Sequence, residues 1–239
     1  MVILSVNSGT ITEGVVSPKN TLYKTKIFLD DPMNLIGFRR SIRQHTETLD
    51  GIINQYFEIG YFMEMLYEGK IEAFKTLKTD ELDIDFELFD FSLLKRRESD
   101  LVSLSLVDSL VKEAEGLYEI LEDPAEISVK IRKGLDSEKF FLEKLGYNNI
   151  NSYLCLRNLM LAENVLINYD FSIRKTKNAT LQGLVDGVFS LKAIQEVYKD
   201  YTKRIENLRG ESELDPNPDS NMMNEILLDI RNVELKETK

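Results

Sequence analysis

Residues 30–67 read DDPMNLIGFRRSIRQHTETLDGIINQYFEIGYFMEMLY, the longest regular apolar pattern in the chain. Asp30-Asp31-Pro32 is a helix-start signal, an acidic cap followed by proline. Apolar or ring-bearing residues then fall at Leu35, Phe38, Ile42, His45, Leu49, Ile52, Tyr56, Ile59, Met63 and Leu66, three and four positions apart in strict alternation. That spacing predicts a helix over 33–67, with an a/d stripe long enough to need a partner helix along its length. At ~1.5 Å per residue it would be roughly 50 Å long. Gly51 and Gly60 mark places where it would bend. Ile36, Ile53, Phe57 and Phe62 widen the stripe, which favours a bundle over a two-stranded coiled coil.

Outward from this stretch, the N-terminal side reads as β. Val2, Leu4 and Val6 alternate with other residues, as do Tyr23, Thr25, Ile27 and Leu29, and the segments between carry turn chemistry. Residues 1–30 are therefore expected to form a small antiparallel β ribbon. On the C-terminal side, Leu82, Ile84, Phe86 and Leu88 alternate with Glu81, Asp83, Asp85 and Glu87, which predicts a further strand with one acidic face. Such acids suit an edge strand kept soluble by charge.

Three more helices follow by the same argument. Leu101, Leu104, Val107, Val111, Ala114, Tyr118 and Leu121 predict one over 99–122. Residues 152–168 are apolar on most sides, as a helix at the centre of a bundle is. A stripe from Leu181 to Leu208 predicts a helix over 180–210, with a phase slip between Leu191 and Ile194. A short helix is expected over 137–145. The fold class expected is thus mainly α: a bundle of four or five main, heptad-patterned helices over 31–210 with the β ribbon at its start.

Residues 211–221 read as an acidic linker containing Pro216 and Pro218, and 222–239 as a tethered amphipathic helix. The whole segment 211–239 holds eight acids against three bases. Met223, Ile226, Leu227, Ile230 and Val233 recur at helical spacing, and they are the candidate partner-binding residues.

The 239 residues carry a net charge of −11, which disfavours general affinity for nucleic acid. A single cysteine, Cys155, and a single histidine, His45, leave no metal-ligand pattern, and no cofactor-binding motif is present. There is no apolar run of spanning length and no signal-peptide pattern, so no membrane partner and a cytoplasmic location are expected. Cys155 lies in an apolar run and reads as a buried hydrophobe.

One constellation carries possible chemistry. Arg40-Ser41-Ile42-Arg43-Gln44-His45 resembles the R-x4-H spacing of HEPN-type ribonucleases, which are all-helical and often dimeric. The resemblance covers six residues and implies a metal-independent ribonuclease of a defence or toxin system. Arg40 and His45 would together promote attack of a ribose hydroxyl on the adjacent phosphate. On a continuous helix these two side chains point ~140° apart, so a break or a dimer contact would have to unite them. The leading expectation is instead a protein without catalytic function: a scaffold, adaptor or assembly subunit that self-associates or binds a protein partner.

Overall fold

The computed structural model describes residues 1–8, 23–30, 42–49, 52–79, 84–88, 91–121, 146–172 and 178–237. Its strands are β1 (Val2–Ser8), β2 (Tyr23–Phe28), β3 (Gln44–Leu49), β4 (Ile52–Glu58) and β5 (Ile84–Glu87). Its helices are α1 (Ile59–Tyr67), α2 (Ile71–Leu77), α3 (Ser92–Arg96), α4 (Glu98–Leu101), α5 (Leu104–Glu119), α6 (Asn149–Asn168), α7 (Asn178–Val185), α8 (Leu191–Glu211) and α9 (Ser220–Glu237). The chain divides into two compact units, residues 1–105 with 215–239, and residues 106–214.

The expected four- or five-helix bundle with a marginal ribbon does not form. The first unit is built on a five-stranded mixed sheet of order β3-β4-β2-β1-β5, in which β2 and β4 run parallel and the other pairs antiparallel. The two N-terminal strands do pair antiparallel, but they form the middle of this sheet. The helix expected over 33–67 is replaced in its described part by β3 and β4, and only Ile59–Tyr67 is helical.

The reason is local and physical. Thr46, Thr48, Ile52, Ile53, Tyr56 and Phe57 are β-branched or aromatic and fit a pleated surface better than a helix. The β3–β4 ladder runs up to Leu49↔Ile52, with only Asp50 and Gly51 between the strands, and Asp-Gly is a strong hairpin dipeptide. β4 lies between β3 and β2 and is half-buried or buried along its whole length. It therefore lacks the clean alternation that identifies a strand with one wet face.

Glu58 ends the sheet and starts α1. Its carboxylate accepts hydrogen bonds from the backbone N–H of Gly60 at 2.7 Å and of Tyr61 at 3.2 Å, which satisfies two of the orphan donors of the first turn. α1 ends at Gly69, whose φ of 69° permits the paired bonds Gly69 N–H to Leu66 O and Lys70 N–H to Met65 O. Its buried face holds Ile59, Phe62, Met63 and Leu66. The strand expected near 82–88 is present as β5, at the sheet's edge.

α9 packs on α1 within the same unit, burying Met223 and Ile230. The segment before it is tied down as well. The carbonyls of Asp215 and Pro216 accept from the N–H groups of Leu104 and Ser105, two of the orphan donors that open α5.

The described residues of the second unit form helices. α6 is buried on nearly every side, as a central helix should be, and α7 and α8 pack against it. Asn148 caps its start, accepting from the N–H groups of Ile150 and Asn151, and Tyr169 closes it with φ 54°. The helix expected over 180–210 is broken between Val185 and Leu191, where Gly187 has φ 67° and Ser190 caps α8 by accepting from the Ala193 N–H. The phase slip at Leu191–Ile194 lies inside α8, beyond this break. The helix expected over 137–145 lies outside the described residues.

Candidate interaction edge

Backbone pairing places three side chains in a row across the first unit's sheet: Lys26 on β2, Tyr56 on β4 and His45 on β3. Paired residues of adjacent strands project to the same face, so the row is fixed by register alone. Lys26 Nζ donates to the Tyr56 hydroxyl at 2.9 Å and lies 4.8 Å from the Tyr56 ring centroid. The Tyr56 hydroxyl in turn donates to Glu47 Oε1 at 2.5 Å. The His45 imidazole stacks on the Tyr56 ring, with centroids 4.2 Å apart and planes 8° from parallel. Phe28 flanks it at 6.2 Å.

The base of β3 is anchored separately. The Glu58 N–H donates to the Arg43 carbonyl at 2.9 Å. The Arg43 guanidinium lies 4.6 Å from the Tyr61 ring centroid and pairs with Glu64 on α1. β3 is thus held from one side by its ladder to β4 and by side chains on one face.

Among the described residues no strand pairs with its other side. β3 is the terminal strand of the sheet, and all six of its residues are exposed. Ile42, just before it, is 63% exposed, and Leu49, at its end, is 61% exposed. Because Arg43 and Glu58 share a hydrogen bond, the alternation of an antiparallel ladder directs the N–H and C=O groups of His45, Glu47 and Leu49 toward β4. Those of Gln44, Thr46 and Thr48 point away from the sheet. This strand presents three outward donors and three outward acceptors, a template for a further strand.

The histidine therefore stands on a strand and not on a helix, and Arg40 lies outside the described residues. The six-residue likeness to HEPN ribonucleases is not carried by the helical backbone which that family uses. Of the candidate partner-binding residues, Met223 and Ile230 are buried and Ile226 and Leu227 half-buried, while Val233 belongs to the same helix. Sequence reasoning passed over Lys26, Glu47 and Tyr56. The Asp50-Gly51 dipeptide between Thr-rich and Ile-rich segments was the signal that could have found them.

Chemistry elsewhere is subdued. Burial pushes the Cys155 thiol up to about 12, so it stays protonated and unreactive. Tyr198 is pushed up to about 12 by burial first, then by the nearby Cys155, Glu115, Tyr118 and Glu119, and its ring stacks on Tyr118 at 3.8 Å. Among the described residues no three His, Cys, Asp or Glu side chains converge as metal ligands, and no helix is long and apolar enough to cross a membrane. No family model, curated protein or solved structure matches this chain.

Proposed function

We propose that this protein is an interaction or assembly protein without catalytic function, and that it binds by accepting a strand on the outer side of β3. One observation carries the reading: a terminal strand whose six residues are all exposed, bounded by the exposed apolar Ile42 and Leu49. Proteins usually blunt such an edge with proline, inward charges or a covering element, because it invites pairing with another chain. Main-chain hydrogen bonds would supply affinity in this mode, and the side chains of the row would supply selectivity.

Thr46→Pro tests this reading. It removes one outward donor and leaves the β3–β4 ladder intact, because the Thr46 N–H does not face β4. The tagged full chain should show an association, either a native mass above 27.6 kDa or stable retention of a second polypeptide. Thr46→Pro should lose that association with an unchanged circular dichroism spectrum. A wild-type chain that stays at 27.6 kDa and retains nothing would contradict the reading.

A further inference from the structure

We infer that the strand added to β3 is β3 of a second copy of this chain, related by a two-fold axis through Thr46. The inference rests on the edge-binding reading above and names its partner. Three antiparallel registers pair at least two of the outward residues Gln44, Thr46 and Thr48 with their images in a second copy. Placing His45 opposite its own copy aligns only Gln44 with Thr46, in both directions, and sets two imidazoles face to face. Placing Glu47 opposite its own copy aligns only Thr46 with Thr48 and opposes two carboxylates, a destabilising pair.

The register centred on Thr46 has neither fault. Thr46 meets Thr46 of the other copy, and Gln44 meets Thr48 in both directions, so every outward donor and acceptor of the three residues is satisfied. His45 then stands opposite the other copy's Glu47, twice, in the pairs not joined by backbone hydrogen bonds, where side chains approach most closely. The imidazole is already held flat by Tyr56, and the Glu47 carboxylate uses Oε1 for the Tyr56 hydroxyl, which leaves Oε2 for the imidazole of the other copy. The strand is complementary to its own reversed image in both backbone and side-chain hydrogen bonding. Two sheets would join into one of ten strands. Because a two-fold contact is self-complementary, it closes at a dimer instead of propagating.

Sedimentation equilibrium of the full chain at micromolar concentration tests this. Wild type should have twice the 27.6 kDa chain mass. Thr46→Pro should be a monomer. His45→Glu opposes two carboxylates twice over and should weaken the dimer by about tenfold or more. A doubly substituted chain, His45→Lys with Glu47→Lys, should weaken it likewise, and mixing the two weakened chains should restore a dimer of the two kinds, which also shows that both fold. A wild-type dimer indifferent to all these changes would overturn the inference by placing the contact elsewhere. A wild-type monomer at every concentration would overturn it too. The broader reading would then be judged separately, by whether wild type retains a different polypeptide that Thr46→Pro does not.

Discussion

The guanidinium of Arg231, in the last helix, lies 3.0 Å from the carboxylate of Glu58, the residue that caps the first. Glu58 thus does two things, holding the first turn of α1 with one oxygen and α9 with the other. Its side chain is 6% exposed and that of Arg231 33%, so the pair is shielded from solvent but not fully dry. Replacing Arg231 with Met should therefore cost about 2 kcal/mol, less than for a fully buried pair, with the loss concentrated in α9. Urea unfolding monitored together with protease cleavage near residue 220 checks both the magnitude and the place.

Alkaline pH should destabilise the second unit. The Cys155 thiol is raised from 9.0 to about 12 and the Tyr198 phenol from 10.0 to about 12. Between the lower and upper values the unfolded chain has lost these protons and the folded chain still holds them. Stability must then fall as pH rises from about 9 toward 12. Cys155→Ala should make that fall shallower, and thermal unfolding of both forms across this range would reveal it. Equal slopes for the two forms would show that the thiol contributes nothing.

Two buried asparagines of α6 should respond in opposite directions. Asn149 Nδ2 donates to the carbonyl of Val185, so Asn149→Ala leaves that acceptor unpaired and should cost about 1–3 kcal/mol. Asn158 is wholly buried, and neither of its side-chain polar atoms has a hydrogen-bond partner among the described residues. Asn158→Leu, which keeps the branched shape of the side chain and removes its polar atoms, should leave stability unchanged or raise it by about 1 kcal/mol. Chemical denaturation of the pair decides the matter, and a large loss in Asn158→Leu would mean that the amide has a partner.

Gly183, in α7, faces the ring of Phe189. A methyl group added there would meet Phe189 Cε2 at 2.8 Å, too close for an aromatic ring to absorb without moving. Gly183→Ala should cost about 1–2 kcal/mol despite its better helix propensity. A compensating Phe189→Leu should recover part of the loss in a double-mutant cycle.

Much of the second unit was legible because burial there follows the helical period. Ile194, Tyr201 and Ile205 lie on the expected stripe and are buried, whereas α6, buried on nearly every side, takes Asn149, Arg157 and Asn158 inside with its apolar residues. The first unit was less so. β4 is half-buried or buried on both faces, and the pairs Ile52-Ile53 and Tyr56-Phe57 then imitate a helical stripe. His45 joined that stripe by coincidence of spacing, although its ring is exposed and stacks on a tyrosine of the neighbouring strand. The break before α8 was not legible, because the residues that make it, Gly187 and Ser190, sit within a window whose apolar spacing stays helical until their backbone angles are known.

Hydrogen exchange reads the outward amides of β3 one by one. The N–H groups of Gln44, Thr46 and Thr48 should exchange slowly in concentrated protein and rapidly on dilution, while those of His45 and Glu47, bonded to β4, should stay protected at both concentrations. Rapid exchange of the three outward amides at every concentration, in a chain that nevertheless sediments as a dimer, would place the dimer contact away from β3.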